Sequence, residues 1–250
     1  MAARKSQTCA SMVGMSGTAS TVKIANDGPR RFEAYLAQPA QALETEKRAA
    51  ILVLSDMFGL NDPIRAVADH YADRGHTALV PNLFWRSEVS GAISYDDPQH
   101  AKAWARLKAL DLDVVSADMR AATDWLRAQP LGNGKVAAIG FCGGGRFAFL
   151  AAVRCGVDAA ASLYGLGISQ HVGEIAKAQC PVQLHYGLQD QHIPREEIDA
   201  VAAGVRGRPN VEVLLYPDAG HSFANPVRPT YDPAAAKLAG ERIAAMLKAI

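Results

Sequence analysis

From residue 49 to the end of the chain, short continuous apolar runs alternate with longer segments whose apolar residues recur every three to four positions. The runs Ala49-Ser55, Thr77-Pro81, Lys135-Phe141, Ala159-Tyr164, Val182-Tyr186 and Val211-Tyr216 have strand length and β-favouring composition. In Ile51-Leu52-Val53-Leu54 no polar residue alternates with the apolar ones. A strand apolar on both sides is buried on both sides, as in a parallel sheet sandwiched between helices. Helix-period segments lie between the runs, at 62–74, 98–109, 112–128, 143–154, 194–204 and 233–248, with a shorter one near 170–178. Within 112–128, Val114, Val115, Met119, Ala122, Trp125 and Leu126 form an apolar stripe that reads as core. The alternation predicts one α/β domain: a mostly parallel central sheet with helices on both faces.

Two departures frame that pattern. Thr21-Ile24 and Phe32-Ala37 flank the turn signal Asn26-Asp27-Gly28, so the domain is expected to open with an antiparallel hairpin. Residues 1–20 carry Arg4 and Lys5, several small polar residues and no acid, without the continuous apolar core of a secretory signal. They read as a disordered tail in preference to a transit peptide, which leaves 21–250 as the domain. The segment 85–100, with Pro98, is the least regular connection and a candidate pocket rim.

Composition narrows the function classes. With 49% hydrophobic and 20% charged residues and a formal net charge of +1, the 250-residue chain has no basic excess that would draw nucleic acid or an anionic membrane surface. No apolar stretch approaches the roughly 20 residues of a membrane-spanning helix. The four cysteines, Cys9, Cys142, Cys155 and Cys180, form no CxxC pair and are too few for a disulfide framework. They read as reduced thiols in a cytoplasmic protein.

One cysteine stands apart. In Lys135-Val-Ala-Ala-Ile-Gly140-Phe141-Cys142-Gly143-Gly144-Gly145 a strand runs into a very tight turn and then a helix, the layout G-x-nucleophile-x-G. Such a turn strains the backbone at the nucleophile and needs small neighbours. It also sets the thiol at a helix N-terminus, where unpaired N–H groups favour a thiolate. An inert buried thiol is the bland alternative. The run also resembles a dinucleotide fingerprint, but Cys142 takes the second glycine's place and the position is late in the sheet.

Two further strand ends carry matching chemistry. Asp190 follows Val182-Tyr186 and His221 follows Val211-Tyr216, so both fall at the sheet edge that bears Cys142. An imidazole can take the thiol's proton, and a carboxylate on its Nδ1–H would fix its tautomer. The order nucleophile, acid, base is that of α/β-hydrolases. Asp190 alternatively caps the helix after Pro194, and Asp218 is a rival orienter. Backbone N–H groups of Gly143 and Met57 are the candidate oxyanion donors. Asp56 reads equally as a cap or as a site carboxylate. His185, Asp190 and His192 lack a recognised metal-ligand spacing and no metal is assigned. Trp85 and Trp104 either line the pocket or pack beside it.

Together these residues resemble the dienelactone hydrolase family of α/β-hydrolases over roughly residues 20 to 249. The resemblance rests on Asp56-Met57-Phe58-Gly59-Leu60-Asn61, Pro81-Asn82-Leu83-Phe84-Trp85-Arg86, the Cys142 elbow, Gly187-x-x-Asp190-x-x-Ile193-Pro194 and Gly220-His221-Ser222-Phe223-Ala224. It implies Cys142 as nucleophile, Asp190 as orienting acid and His221 as base, a small lactone or activated ester as substrate, a thioester acyl-enzyme and no cofactor. It further implies that Asp56 stands where a glutamate receives the resting thiol's hydrogen bond. Asn225 stands where an arginine docks a substrate carboxylate, and a second such position falls near His100. Arg86 and Arg228 are nearby cations, and Phe58, Trp104, Tyr164 and Phe223 complete the expected pocket. A broader carboxylesterase or thioesterase, and a catalytically silent interaction module of the same fold, remain alternatives. The expected assembly is a monomer or a small homo-oligomer.

Overall fold

The computed structural model describes residues 17–40 and 47–250, apart from 97, 99 and 131. Two strands open the fold, β1 (Thr18–Asp27) and β2 (Arg30–Gln38), as an antiparallel hairpin. Then follow β3 (Arg48–Leu54), α1 (Asp62–Ala72), β4 (Ala78–Pro81), α2 (His100–Lys108), α3 (Leu112–Arg127), β5 (Gly132–Phe141) and α4 (Gly143–Arg154). The chain ends with β6 (Ala159–Leu163), β7 (Val182–Gly187), α5 (Arg195–Gly204), β8 (Val211–Tyr216) and α6 (Pro233–Leu247). All eight strands form one sheet in the order β1-β2-β4-β3-β5-β6-β7-β8, parallel from β4 to β8.

Why the sheet is covered on both faces follows from its strands. Ile51, Leu52, Val53 and Leu54 are successive and all fully buried, so neither side of β3 meets water. Helices α3 and α4 pack on each other and on β5, whereas α1 and α6 flank a groove whose floor is Ile139, Phe141 and Leu163. Asn61 caps α1 by accepting the Ile64 N–H at 3.2 Å, and Asp111 and Asp232 cap α3 and α6 in the same way. Parallel strands place all their C-terminal ends at one edge, and the loops after β3, β5, β7 and β8 therefore converge there.

Three expectations shift. The tail reading for residues 1–20 lies outside the described residues up to 16, and from Thr18 the chain is already β1, paired with Gln38. The segment near 170–178 is two short 3₁₀ turns, Ile168–Gln170 and Val172–Lys177, because Gly167 at φ 73° starts the first outside α geometry. On α3, Val115, Met119, Ala122 and Leu126 are buried, but Val114 is 40% exposed and Trp125 half-buried. Consecutive residues stand about 100° apart on a helix, so Val114 and Val115 cannot both face the core.

One half-buried tie holds the strand that carries the elbow. Asp158, just before β6, accepts the Val136 N–H at 2.9 Å and pairs with Arg127 at 2.7 Å and Lys135 at 3.0 Å. These partners hold its carboxyl below the usual carboxylate range. Its stabilisation is therefore present above the unfolded-state value near pH 4 and is lost as pH falls through the lower folded value. Asp158→Asn is expected to lose about 2 kcal/mol at pH 7, as for a hydrogen bond to a charged group. In urea unfolding, the gap to the parent should narrow as pH falls below about 4; a gap independent of pH would exclude the ionised tie.

Candidate active site

The turn between β5 and α4 accounts for the glycines around Cys142. A Cβ on Gly140 would lie 1.9 Å from the Gly144 carbonyl oxygen, and one on Gly144 would lie 2.1 Å from that of Leu54. Only bare backbone fits, and Cys142 is left at φ 56°, ψ −117°. Its N–H donates to the Leu163 carbonyl at 3.0 Å, and its own carbonyl accepts from Gly145 at 2.9 Å. Among the described residues, three non-glycines have positive φ: Cys142, Tyr164 at 43° and Ser222 at 63°. All three belong to this edge of the sheet, the ring of Tyr164 standing 5.1 Å from that of His221. Backbone strain of this kind concentrates at functional sites.

Asp190 and His221 meet as the loops after β7 and β8 converge. Asp190 Oδ2 lies 2.7 Å from His221 Nδ1, and Oδ1 accepts the N–H groups of His192 at 2.7 Å and Ile193 at 3.1 Å. Its carboxylate is 1% exposed. With every oxygen engaged and α5 starting after Pro194 without a side-chain cap, Asp190 is no helix cap. Asp218 is exposed. A carboxylate on Nδ1 assigns the ring proton there and leaves Nε2 as a free acceptor. The Thr230 hydroxyl donates to the His221 carbonyl and holds the loop from the other side.

The thiol itself departs from the expected thiolate. Burial pushes the Cys142 pKa well up, and the charges of Asp56 and Asp190 push it further; the Gly143 N–H and Arg228 pull the other way. A helix N-terminus supplies partial charge only, which cannot offset the loss of water around a sulfur anion beside two carboxylates. Burial and the two carboxylates thus favour the thiol over the thiolate. No hydrogen bond joins the sulfur to His221 or to Asp56 among the described residues. Asp56 spends its oxygens elsewhere: Oδ1 accepts the Phe58 N–H and Oδ2 the Tyr95 hydroxyl, each at 2.8 Å. Burial raises the Asp56 pKa, while these two bonds and the charges of Arg228 and Arg106 lower it.

The remaining expected pocket residues divide. Phe58 is buried, edge-on to Tyr95 at 4.7 Å and to His100 at 5.2 Å. Asn225 donates to the Tyr95 hydroxyl at 3.0 Å, so it buttresses the Asp56 partner. Trp104 stands 6.5 Å from His192, whose ring is 4.8 Å from that of His221. Phe223 is fully buried behind the site between Tyr164 and Tyr216. Met57 is buried in the loop after β3, and Gly143 opens α4 against Leu107. Arg86 is not brought to the site. It pairs with Asp118, stacks 3.8 Å over Trp85 and faces Asp27 of the hairpin, and Trp85 packs on Phe32. Arg228 is the cation that is present: its guanidinium lies 5.0 Å over Tyr95, and its charge reaches Cys142, Asp56 and Tyr164.

The sequence does not single out Tyr95 or His192 as site residues. Tyr95 lies in the irregular 85–100 connection, and no periodicity marks its hydroxyl for Asp56. His192 follows Asp190 by two positions, and its proximity to His221 arises only when β7 and β8 pair. His185 lies apart from both, fully buried with Nδ1 2.8 Å from the Tyr216 hydroxyl. No group of three or more His, Cys, Asp or Glu among the described residues is arranged to hold a metal. No described helix is long and apolar enough to cross a membrane.

The chain is similar to known proteins over most of its length. The carboxymethylenebutenolidase of Pseudomonas putida is 32% identical over 212 residues, spanning 84% of this chain and 88% of its own. Carboxymethylenebutenolidase 1 of Cupriavidus pinatubonensis is 29% identical over 231 residues, spanning 91% of this chain and 97% of its own. Among solved structures, a dienelactone hydrolase-like promiscuous phosphotriesterase from metagenomic libraries matches the fold with a TM-score of 0.77 at 24% identity, covering 93% of this chain and 98% of that one. The model of the dienelactone hydrolase family matches residues 32–250. With an eight-stranded α/β fold and a match over nearly its whole length, the chain belongs to the dienelactone hydrolase family of ester and lactone hydrolases.

Proposed function

We propose that the protein hydrolyses a small, carboxylate-bearing lactone or activated ester with Cys142 as nucleophile, His221 as general base and Asp190 as its orienter. The observation that carries this reading is the Asp190–His221 pair, 2.7 Å apart and almost fully buried, on the edge that also holds a strained cysteine elbow. The free Nε2 of His221 takes the thiol's proton as Sγ attacks the substrate carbonyl carbon. The N–H groups of Met57 and Gly143 receive the oxyanion. Collapse expels the alcohol or enolate oxygen, which His221 protonates, and leaves a thioester on Cys142. Water, deprotonated by His221, then releases the acid and restores the thiol.

Two features support the substrate class. A thiolate is readily expelled from a tetrahedral intermediate, so turnover favours esters whose leaving group is a stabilised anion such as an enolate. Arg228 offers a cation over Tyr95 where Asn225 cannot, which suits a carboxylate on the substrate. The names of the relatives point the same way, a carboxymethylenebutenolide being an enol lactone that bears a carboxylate. A site that favours the thiol over the thiolate fits an enzyme whose nucleophile is charged only as substrate arrives.

Cys142→Ala is expected to lower kcat/KM by at least about a thousandfold, as for other triad nucleophiles. Rapid quenching of the parent with a slow ester should yield a thioester adduct on Cys142 by mass spectrometry. An alanine variant that still turns over excludes the nucleophile.

Asp56→Asn removes a negative charge that holds the thiol protonated. The thiol pKa should fall, so at pH 7.5 the thiolate fraction and with it the iodoacetamide alkylation rate should rise by about tenfold. A rate that is unchanged or lower sinks the electrostatic role of Asp56.

Arg228→Gln should raise KM for a carboxylate-bearing enol lactone by about tenfold or more while leaving neutral p-nitrophenyl esters nearly untouched. Equal effects on both substrates exclude carboxylate docking. A panel that adds acyl thioesters separates the lactone reading from a broader thioesterase.

A further inference from the structure

Arg106, on α2, is 5% exposed and has no carboxylate within ion-pair distance among the described residues. Two of its three nitrogens bond backbone instead, and Nη2 is buried without a hydrogen-bond partner among the described residues. Nε donates to the Met57 carbonyl at 2.9 Å, and Nη1 to the carbonyls of Val89 at 2.9 Å and Gly91 at 2.6 Å. The group lies 4.1 Å over the ring of Phe84. Burial lowers its pKa to about 10, with Asp56 acting in the opposite sense, so it stays charged at neutral pH. Burying a cation carries a large desolvation penalty that its hydrogen bonds must offset.

What it holds is a single peptide plane. The carbonyl of Met57 and the N–H of Phe58 are the two poles of the same peptide unit. Arg106 binds the carbonyl, and Asp56 Oδ1 binds the N–H at 2.8 Å. The next carbonyl, that of Phe58, accepts from Ile93 at 2.9 Å. The loop after β3 is thus stitched to the 89–95 segment at two points, and Arg106 bridges both chains. With the plane after it fixed at both ends, Met57 can turn its own N–H only by straining φ and ψ. Preorganised donors are worth most when they need no reorganisation as charge develops.

We infer that Arg106 is a positioning residue that clamps the Met57–Phe58 peptide so that the Met57 N–H faces the developing oxyanion. The inference rests on the proposed reading in which Cys142 attacks and Met57 donates. Arg106 touches no reacting atom. Lysine would keep the charge but has no planar fork for three carbonyls on two segments.

The test compares two reactions of the same thiol. Hydrolysis of p-nitrophenyl acetate passes through a tetrahedral oxyanion. Alkylation by iodoacetamide is a direct displacement in which sulfur bonds to carbon, iodide leaves and the thiol proton is lost, and no oxyanion forms. Arg106→Gln should lower kcat for the ester by about tenfold to a hundredfold with little change in KM, as expected for a misaimed donor. Alkylation of Cys142 should stay within about threefold of the parent. Arg106→Lys should fall between, and where the glutamine variant does not fold, the lysine variant decides by the same ratio. A ratio of ester turnover to alkylation equal to that of the parent overturns the inference, as does a parallel loss of both, which would report a collapsed elbow. Parental ester turnover by Cys142→Ala would instead overturn the nucleophile reading, a result independent of any Arg106 variant.

Discussion

The strand-to-helix turn at Cys142 leaves no room for a side chain at Gly140 or Gly144, and this steric demand determines how closely α4 approaches β3 and β5. The carbonyl oxygen of Leu54, at the end of β3, lies only 2.1 Å from where a Cβ of Gly144 would be. The elbow is therefore seated against the strand whose following loop contains Asp56 and Met57. A larger residue at either glycine would part β5 from the helix and move the sulfur away from both. The geometry of the whole edge, including the separation between the thiol and the loop after β3, follows from this contact. The same closeness buries the sulfur, and burial is the largest influence on its charge.

Burial and charge pull against each other across this edge. A thiol next to Asp56 and Asp190 is held protonated, whereas a nucleophile must become an anion. The fold places cations to temper the carboxylates without pairing with them directly. Arg228 and Arg106 both lower the Asp56 pKa from a distance, and Phe58 and Tyr95 donate to its oxygens. Asp190 is satisfied by two backbone N–H groups and by His221, so its charge is spent on orienting the imidazole. The charge of Asp56 therefore bears directly on that of the sulfur. Asn225 braces Tyr95 and is thereby linked to the same carboxylate.

How much of this is legible in the sequence depends on the range of the interaction. The parallel sheet is legible because fully apolar runs such as Ile51-Leu52-Val53-Leu54 admit few other placements, and the hairpin because Gly28 follows Asn26-Asp27. The elbow, Asp190 and His221 are legible because each lies within a few residues of a strand end. Arg86 is not, for proximity along the chain to Trp85 says nothing of which side of the sheet receives the loop. It is drawn instead to Asp118 on α3, 32 residues away. Tyr95 and Asp56 are 39 residues apart, and nothing local to either announces the bond. The thiol's charge is hidden for the same reason: a helix N-terminus is visible in sequence, while desolvation and the approach of two carboxylates are properties of the packed edge.

The irregular 85–100 connection draws these threads together. Lacking strand or helix hydrogen bonds, it must satisfy its backbone by other means, and the buried guanidinium of Arg106 takes the carbonyls of Val89 and Gly91. Ile93 then reaches Phe58, and Tyr95 reaches Asp56. A loop that reads in the sequence as the least regular connection is fastened to the loop after β3 at successive points. Its order is borrowed from side chains and not from secondary structure. An insertion or substitution in this connection would therefore act on the sulfur through Asp56 without touching Cys142, Asp190 or His221 themselves. On the proposed reading, this connection acts on Cys142 through the charge of Asp56 while leaving the Asp190–His221 pair in place.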